Sequence, residues 1–103
     1  MRVHGEVWWA ERPEVKRRPV LVLTRAVVAQ RLGQLTVAEI TTRPRELVTE
    51  VSLDEDDGLP RPCVVTLDNL QTVRRVHLVD YITTLGPERM AEVCQALRIA
   101  VDC

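Results

Sequence analysis

The segment Val15–Thr24, VKRRPVLVLT, places three cations directly before a proline and four apolar residues. The valines and leucines after Pro19 predict a buried strand over Pro19–Thr24. Proline suits the first position of a strand, because its missing N–H leaves the fewest ladder bonds unmade there. Proline also biases the preceding residue toward extended backbone, so Arg18 is predicted to hold a defined direction at the mouth of this strand.

Four further segments have the composition of short strands, and turn-forming or charged stretches separate them. They are Val3–Ala10, Gln34–Thr41, Leu47–Leu53 and Cys63–Leu67. In Leu47–Leu53 the apolar residues break a strict alternation, which predicts a β-bulge. Residues 25–34, RAVVAQRLGQ, are predicted to form one or two helical turns that end at Gly33. Residues 54–62, DEDDGLPRP, predict an exposed acidic turn followed by an extended segment between prolines.

The C-terminal segment predicts one well-defined helix. Gly86 and Pro87 begin it, since proline is suited to the first helical position. Apolar residues then recur at helical spacing on one face, as is typical of a helix packed on a core. They are Met90, Val93, Cys94, Leu97 and Val101. A meander of short strands closed by one helix predicts a small β-barrel, in the mainly-β or α+β class.

Length and charge limit the class of protein. The 103 residues are 46% apolar and predict one domain over residues 1–103. The formal net charge of −1 argues against a polybasic protein that binds nucleic acid by bulk attraction, so any anion site must be local. The sequence shows neither a secretory signal pattern nor an apolar run of membrane-spanning length, which predicts a cytoplasmic protein without membrane contact.

The cysteines and histidines do not form a familiar catalytic or metal-binding pattern. The three cysteines are far apart and outside any CxxC pair, so neither a zinc site nor a disulfide framework is predicted. Cys63 and Cys94 are expected to be small core residues. His4 and His77 are the only histidines, and each is expected to be structural. The acidic residues of 54–62 are expected to be solvated, and no metal is predicted.

Polar residues at the ends of two strands are the remaining candidates for chemistry. Thr41 and Thr42 end the third predicted strand, and Arg43 and Arg45 follow around a proline. If the second and third strands are neighbours, Arg18 and a threonine hydroxyl meet at one rim. Such a pair can hold a phosphate through guanidinium and hydroxyl donors. Spacing alone favours a surface ion pair for Arg18 over this site.

The order of the sequence blocks adds a family resemblance. The blocks are HGEVWWAE, RRPVLVLT, VAEITTR, GLPRPCVVTLDNLQTV and YITTLGPERMAEVCQAL. In this order and spacing the chain resembles the MazF/PemK family of toxins from type II toxin–antitoxin modules, over nearly its whole length. The resemblance implies an SH3-like β-barrel with a C-terminal helix, as in the related CcdB-type toxins, and a homodimer. It further implies a ribosome-independent, sequence-specific endoribonuclease of single-stranded RNA, which needs no metal or cofactor and is blocked by a MazE-like antitoxin.

The resemblance also implies roles for particular residues. By motif position the catalytic arginine is Arg18 and the catalytic threonine is Thr41, while Asp68 and Asn69 contact RNA. Basic and polar residues near the same rim are expected to bind the RNA backbone; they are Lys16, Arg17, Thr42, Arg43 and Arg45. Glu14 is a candidate general base if the loop from Glu11 to Arg17 folds over the phosphate.

The sequence departs from the family at three positions and leaves two other functions open. Asn69 stands where the family often has Gln, Gln71 where it often has Arg, and His4 where Arg or Lys is common. One alternative is a CcdB-like toxin that binds DNA gyrase without cutting RNA, for which the tip of the C-terminal helix would be critical. The other is a non-catalytic dimeric module that binds an antitoxin or nucleic acid. The adjacent Trp8 and Trp9 are expected to face opposite sides of a strand, one toward the core and the other toward a groove or an interface.

Overall fold

The computed structural model describes residues 4–25, 31 and 33–101, which form a curled antiparallel sheet and a C-terminal helix. The strands are β1 (Glu6–Arg12), β2 (Val15–Val22), β3 (Gln34–Thr41), β4 (Glu50–Leu53), β5 (Cys63–Arg74) and β6 (Leu78–Thr84). Their order in the sheet is β4-β5-β3-β2-β1-β6, and every neighbouring pair is antiparallel. Single 3₁₀ turns at Glu55–Asp57 and Arg75–His77 precede β5 and β6. The helix, α1, covers Pro87–Val101. The predicted mainly-β fold with a C-terminal helix is confirmed.

The central strands are buried on both faces of the sheet. The larger core cluster lies between the sheet and α1, and includes Leu21 and Val93. The smaller cluster lies on the other face and includes Val20 and Val22. Because successive strand residues point to opposite faces, a strand covered on both sides must be apolar at every position. This accounts for the unbroken run after Pro19, in which Val20, Leu21 and Val22 are each at most 1% exposed.

Several strand boundaries differ from those predicted. The segment predicted as Pro19–Thr24 already begins at Val15 and ends at Val22, because the charged residues before Pro19 pair with β1. The predicted loop between these strands is a two-residue hairpin of Pro13 and Glu14. The strand predicted from Val3 runs over Glu6–Arg12. Of the helical turns predicted within residues 25–34, residues 26–30 and 32 lie outside the described residues.

The second half of the sheet shows larger corrections. The strand predicted over Leu47–Leu53 begins only at Glu50, and since Leu47 and Val48 are exposed, the inward residues alternate without the predicted bulge. β5 continues seven residues beyond the predicted end at Leu67, and β6 was not predicted. Residues in these additional stretches are mostly polar or exposed, so their sequence lacks the hydrophobic pattern of a half-buried strand.

The helix buries a narrower face than its spacing suggests. Val93 and Ala96 are buried, while Met90 and Leu97 pack against the core at its edge. Cys94 was predicted to be a core residue, and that prediction is wrong because its side chain is exposed. Cys94 is rotated by about 100° from Val93 around the helix, which carries it off the packed stripe. Val101, about 80° from Val93, is likewise exposed. In the described part of the chain no helix has the length and apolar character needed to cross a membrane.

The acidic turn after β4 is ordered by its own carboxylates and by α1. The Asp54 side chain accepts a hydrogen bond from the Asp56 N–H, and the Asp57 side chain accepts one from the Asp54 N–H. Arg89 of α1 donates to Asp57 Oδ1 at 3.0 Å. Burial opposes the charged form of Asp57, but these hydrogen bonds and the Arg89 charge outweigh it, and the pKa of Asp57 lies below its usual value. The turn is therefore a link between β4 and the helix.

Gly58, which ends this turn, provides a test of the packing. Its φ is +96°, and a Cβ added there would lie 2.8 Å from Thr83 Cβ. Gly58→Ala is expected to lose about 2–4 kcal/mol of unfolding free energy, from left-handed strain and the clash together. Gly33→Ala is the control, since Gly33 also has a positive φ (+65°) but no atom within 4 Å of the added carbon. It should lose only about 1 kcal/mol. Urea unfolding measures both, and equal losses would contradict the close packing at Gly58.

Cys63 and Cys94 provide a second test. Cys63 is buried, and burial together with the charges of Asp57 and Asp54 raises the pKa of its thiol to about 11. At pH 8 about one molecule in a thousand then carries the reactive thiolate at Cys63. Iodoacetamide is expected to alkylate exposed Cys94 at least ten times faster than Cys63, as measured by peptide mass mapping. In denaturant the two rates should converge, and equal rates in the folded protein would show that Cys63 is accessible.

Candidate active site

The pairing of β2 with β3 determines where Arg18 and Thr41 lie. The observed partners are Val20 with Glu39, Leu21 with Ala38 and Val22 with Val37. Counting two residues further along each strand places Arg18 opposite Thr41. The condition that the second and third predicted strands are neighbours is thus met.

Proline ends this pairing. The N–H of Leu23 donates to the carbonyl of Thr36, so at Leu23 the backbone polar groups face β3. Backbone groups of alternate residues face the same neighbour, and Pro19 therefore also faces β3, where it has no hydrogen to donate. The hydrogen-bonded ladder stops at Val20 and Glu39. Beyond that point the two strands border a groove.

The groove has a volume of about 600 Å³ and is strongly cationic. Its lining includes five cations, two threonine hydroxyls and no carboxylate among the described residues. The cations are Lys16, Arg17, Arg18, Arg43 and Arg61, and the hydroxyls belong to Thr41 and Thr42. The remaining lining is apolar apart from the Cys63 thiol: Trp9, Pro19, Ile40, Leu59, Pro60 and Cys63. Since the whole chain carries a net charge of −1, this is a local concentration of positive charge suited to an anion.

Arg18 both lines the groove and forms an ion pair. Its side chain is 43% exposed, and Nη1 lies 3.1 Å from Glu39 Oε1. The Glu39 side chain is 17% exposed, and its other oxygen accepts a hydrogen bond from Gln71 Nε2 at 3.1 Å. The ion pair that spacing alone favours is therefore present. It involves Nη1, so Nε and Nη2 keep N–H groups that can donate to a ligand.

The hydroxyl of Thr41 is available as a hydrogen-bond donor. Its Oγ1 accepts the backbone N–H of Arg43 at 3.2 Å. This contact occupies a lone pair, so the O–H hydrogen remains able to donate to an oxygen in the groove. An arginine and a threonine facing each other across the end of a strand pair can thus both donate to one phosphate.

The tryptophans of β1 lie on opposite faces, as predicted. Trp8 packs against the smaller core cluster and makes an edge contact with Tyr81, with ring centroids 5.6 Å apart. Trp9 lines the groove, and the Arg17 guanidinium lies over its ring, 5.0 Å from the centroid. Arg17 also donates to Asp80 Oδ2 at 2.6 Å, so it is held by β1 and β6. Arg17 is fixed at the groove wall by these two contacts.

A bulge in β5 brings the acid–amide pair to the same region. Ala38 of β3 pairs with Leu70, but the next residue, Glu39, pairs with Thr66. Residues 67–69 of β5 therefore have no partner on β3, and this interruption contains Asp68 and Asn69. Such bulges often redirect side chains beside functional sites.

The acid–amide pair lines a second, smaller groove of about 380 Å³, which shares Thr41 and Arg43 with the first. Arg45 Nη2 donates to Asp68 Oδ1 at 2.9 Å. The backbone N–H of Arg45 also donates to Glu50, at 3.0 Å, so this arginine is held by two carboxylates. Arg45, Asp68 and Asn69 thus lie beside the cationic groove and outside its lining.

Glu14 is not brought to this site. It lies at the tip of the β1–β2 hairpin with φ of +64° and is exposed. Arg18 follows it by four positions along β2, which separates the two backbones by about 13 Å at the usual rise per residue. Sequence reasoning also missed two neighbours of the site, Arg61 and Glu39. Arg61 stands between two prolines, in a bend that lines the groove, and these prolines were a usable signal, whereas nothing local marks Glu39. Within the described ranges no three His, Cys, Asp or Glu side chains are grouped to hold a metal ion.

Comparison with known proteins identifies the family. A family model described as "PemK-like, MazF-like toxin of type II toxin-antitoxin system" matches residues 4–101. "Probable endoribonuclease MazF5" of Mycobacterium tuberculosis is 44% identical over 100 residues, which cover 96% of this chain and 92% of that protein. "Endoribonuclease MazF3" of the same species is 55% identical over 87 residues, 84% of each chain. The solved structure "Mycobacterium tuberculosis toxin MazF-mt6" has a TM-score of 0.85 at 40% identity, covering 94% of this chain and 96% of that one.

These matches extend over almost the whole chain and agree in sequence and in fold. The resemblance inferred from the order of the sequence blocks is confirmed, and the chain belongs to the PemK/MazF family of toxins of type II toxin–antitoxin systems.

Proposed function

We propose that this chain is the toxin of a type II toxin–antitoxin system and a metal-independent endoribonuclease that cleaves single-stranded RNA. The observation that carries the proposal is the position of Arg18 and Thr41, which face each other at the end of the β2–β3 ladder within a cationic groove. Relatives that cover most of the chain are named endoribonucleases, which supports the same activity.

The proposed reaction is transesterification within the RNA. The ribose 2′-oxygen attacks the adjacent phosphorus, the bond from phosphorus to the 5′-oxygen breaks, and the proton of the 2′-hydroxyl is lost while the leaving oxygen gains one. The products are a 2′,3′-cyclic phosphate and a free 5′-hydroxyl. Since the RNA supplies its own nucleophile, the protein must place the phosphate and stabilise the additional negative charge.

Arg18 and Thr41 are suited to that stabilisation. The guanidinium keeps free donors after its ion pair with Glu39, and the Thr41 hydroxyl keeps a free proton. Directed at the non-bridging oxygens, these groups stabilise charge that develops only in the transition state. A guanidinium stays protonated near neutral pH, so Arg18 acts here as a charge stabiliser and does not remove the 2′-hydroxyl proton. Glu14, at the exposed hairpin tip, lines neither groove, so this proposal assigns it no proton transfer.

The remaining residues of the two grooves are assigned to RNA binding. Lys16, Arg17 and Arg43 lie where they can contact backbone phosphates on either side of the cleaved bond. Trp9 offers a ring for stacking, although Arg17 covers one of its faces. Asp68, Asn69 and Arg45 line the second groove, and Thr42 lines the first. These polar side chains can form hydrogen bonds with the edges of RNA bases. Base-edge contacts of this kind require unpaired nucleotides, which accounts for a preference for single strands.

The partners follow from the family. A MazE-like antitoxin is the proposed protein inhibitor, and an acidic peptide segment would complement the five cations of the large groove. A second copy of the chain, forming a homodimer, and a cytoplasmic location complete the proposal.

Cleavage of a long unstructured RNA in EDTA tests the activity and the site together. Wild-type protein is expected to cut at discrete positions and leave cyclic phosphate ends. Arg18→Ala should lower the rate about 10²–10³-fold, because it removes a donor to the developing charge, and Thr41→Ala should have an effect of similar size. Rates are measured from end-labelled RNA on sequencing gels, which also reveal the recognition sequence.

Two matched variants control for general damage. Arg98→Ala removes an exposed arginine from α1, and Thr72→Ala removes an exposed strand threonine, both outside the two grooves. Each should cut like the wild type. If the wild type leaves RNA intact while inhibiting DNA gyrase, the gyrase-binding alternative is correct. If it cuts RNA and Arg18→Ala cuts equally well, the assigned site is wrong.

A further inference from the structure

Glu39 is a carboxylate that pairs with Arg18 of the cationic groove, and the proposed mechanism gives it no task. Glu39 lines the second groove and lies outside the lining of the first. It is the middle member of a chain of contacts that runs Gln71–Glu39–Arg18, with both links at 3.1 Å. Its side chain is largely withdrawn from solvent, at 17% exposure, whereas that of Arg18 is 43% exposed.

The backbone of Glu39, like its side chain, is held by contacts with β5. The Glu39 carbonyl accepts the hydroxyl of Thr66, a buried residue of β5, at 2.9 Å. Glu39 also lies directly at the register shift where the β5 bulge begins. Gln71 of β5 thus holds the carboxylate and Thr66 of β5 holds the backbone carbonyl, while Arg18 lies just beyond the end of the β2–β3 pairing, in a part of β2 that still pairs with β1.

We propose that Glu39 is a positioning residue, which holds the Arg18 guanidinium in the orientation that receives the scissile phosphate. The inference rests on the proposed function of Arg18 and deepens it. An arginine side chain has several rotatable bonds, and a single contact at Nη1 removes much of that freedom while leaving other donors for the substrate. Because the carboxylate is anchored by Gln71, the direction of this contact is defined.

The charge of Glu39 gives the proposal a distinctive kinetic signature. A carboxylate close to the groove repels the RNA backbone, so its presence does not favour substrate binding. If its task is to orient Arg18 for the transition state, its removal should lower kcat while KM stays level or falls. Removal of a residue that merely supported the fold would not lower kcat selectively while KM stayed level or fell.

The experiment compares steady-state cleavage of an RNA oligonucleotide containing the mapped site. Glu39→Ala is expected to lower kcat about 10–100-fold, since misplacement of a catalytic group by about 1 Å can cost up to about 10²-fold. Glu39→Gln should restore most of kcat, because the amide oxygen still accepts the Arg18 N–H. Gln71→Ala leaves the Glu39 carboxylate in place but removes the hydrogen bond that Gln71 donates to it, so this variant should show a smaller drop in kcat. The pH–rate profile should keep its wild-type shape in all three variants, because Glu39 moves no proton in this role.

The matched control is Glu92→Ala. Glu92 is an exposed carboxylate on α1 that pairs with Arg89 at 3.1 Å, the same distance as Glu39 to Arg18, and it lies outside both grooves. It should retain wild-type kcat and KM. Thermal unfolding of each variant, followed by circular dichroism, verifies that the compared proteins are folded, and Glu39→Gln and Gln71→Ala carry the test if Glu39→Ala does not fold.

The outcomes separate this inference from the proposed function. If Arg18→Ala is inactive while folded Glu39 and Gln71 variants match the wild type, Glu39 has no positioning role and the proposed function stands. If Glu39→Gln is as slow as Glu39→Ala and one limb of the pH–rate profile is lost, Glu39 transfers a proton and the positioning role is overturned. If Arg18→Ala cuts normally, the proposed function fails first.

Discussion

The antiparallel pairing of β2 with β3 is the constraint on which the groove depends. Its register places Arg18 opposite Thr41, and its end at Val20 and Glu39 opens the space between them. Pro19 stops the ladder because it faces β3 without a hydrogen to donate. The residues just inside that point are buried on both faces of the sheet, so the strand is firmly held until the position where the groove begins. A one-residue slip would turn Arg18 and Thr41 away from each other.

The bulge in β5 is the second structural determinant. It interrupts the pairing with β3 at Glu39 and contains Asp68 and Asn69, so the anchor of Arg18 and the acid–amide pair depend on the same irregularity. The two grooves meet at Thr41 and Arg43. The first groove is lined by five cations, and the lining of the second includes two carboxylates, Glu39 and Asp68, and the Asn69 amide. In the proposed function, phosphate positioning and recognition of bases would therefore be adjacent along one path, as a nuclease with a short recognition sequence requires.

The parts of this arrangement that are local in sequence could be predicted. The direction of Arg18 follows from the proline beside it, the start of α1 follows from Pro87, and the buried strand follows from its apolar run. Glu39 could not be predicted, because its contact with Arg18 depends on strand register and its anchoring depends on a bulge in β5. β6 was missed since its side chains are mostly exposed and polar. Cys94 was predicted to be buried and is exposed, because helical spacing identifies the apolar face of a helix but not how much of that face packs against the core.

The central claim is that one phosphate lies between Arg18 and Thr41. The most direct measurement is a crystal structure with a short RNA containing the mapped cleavage site, in which a 2′-deoxyribose removes the nucleophile. We expect non-bridging oxygens of that phosphate within about 3 Å of both the Arg18 guanidinium and Thr41 Oγ1. A cleavable phosphate bound beyond hydrogen-bond reach of both residues would contradict this claim.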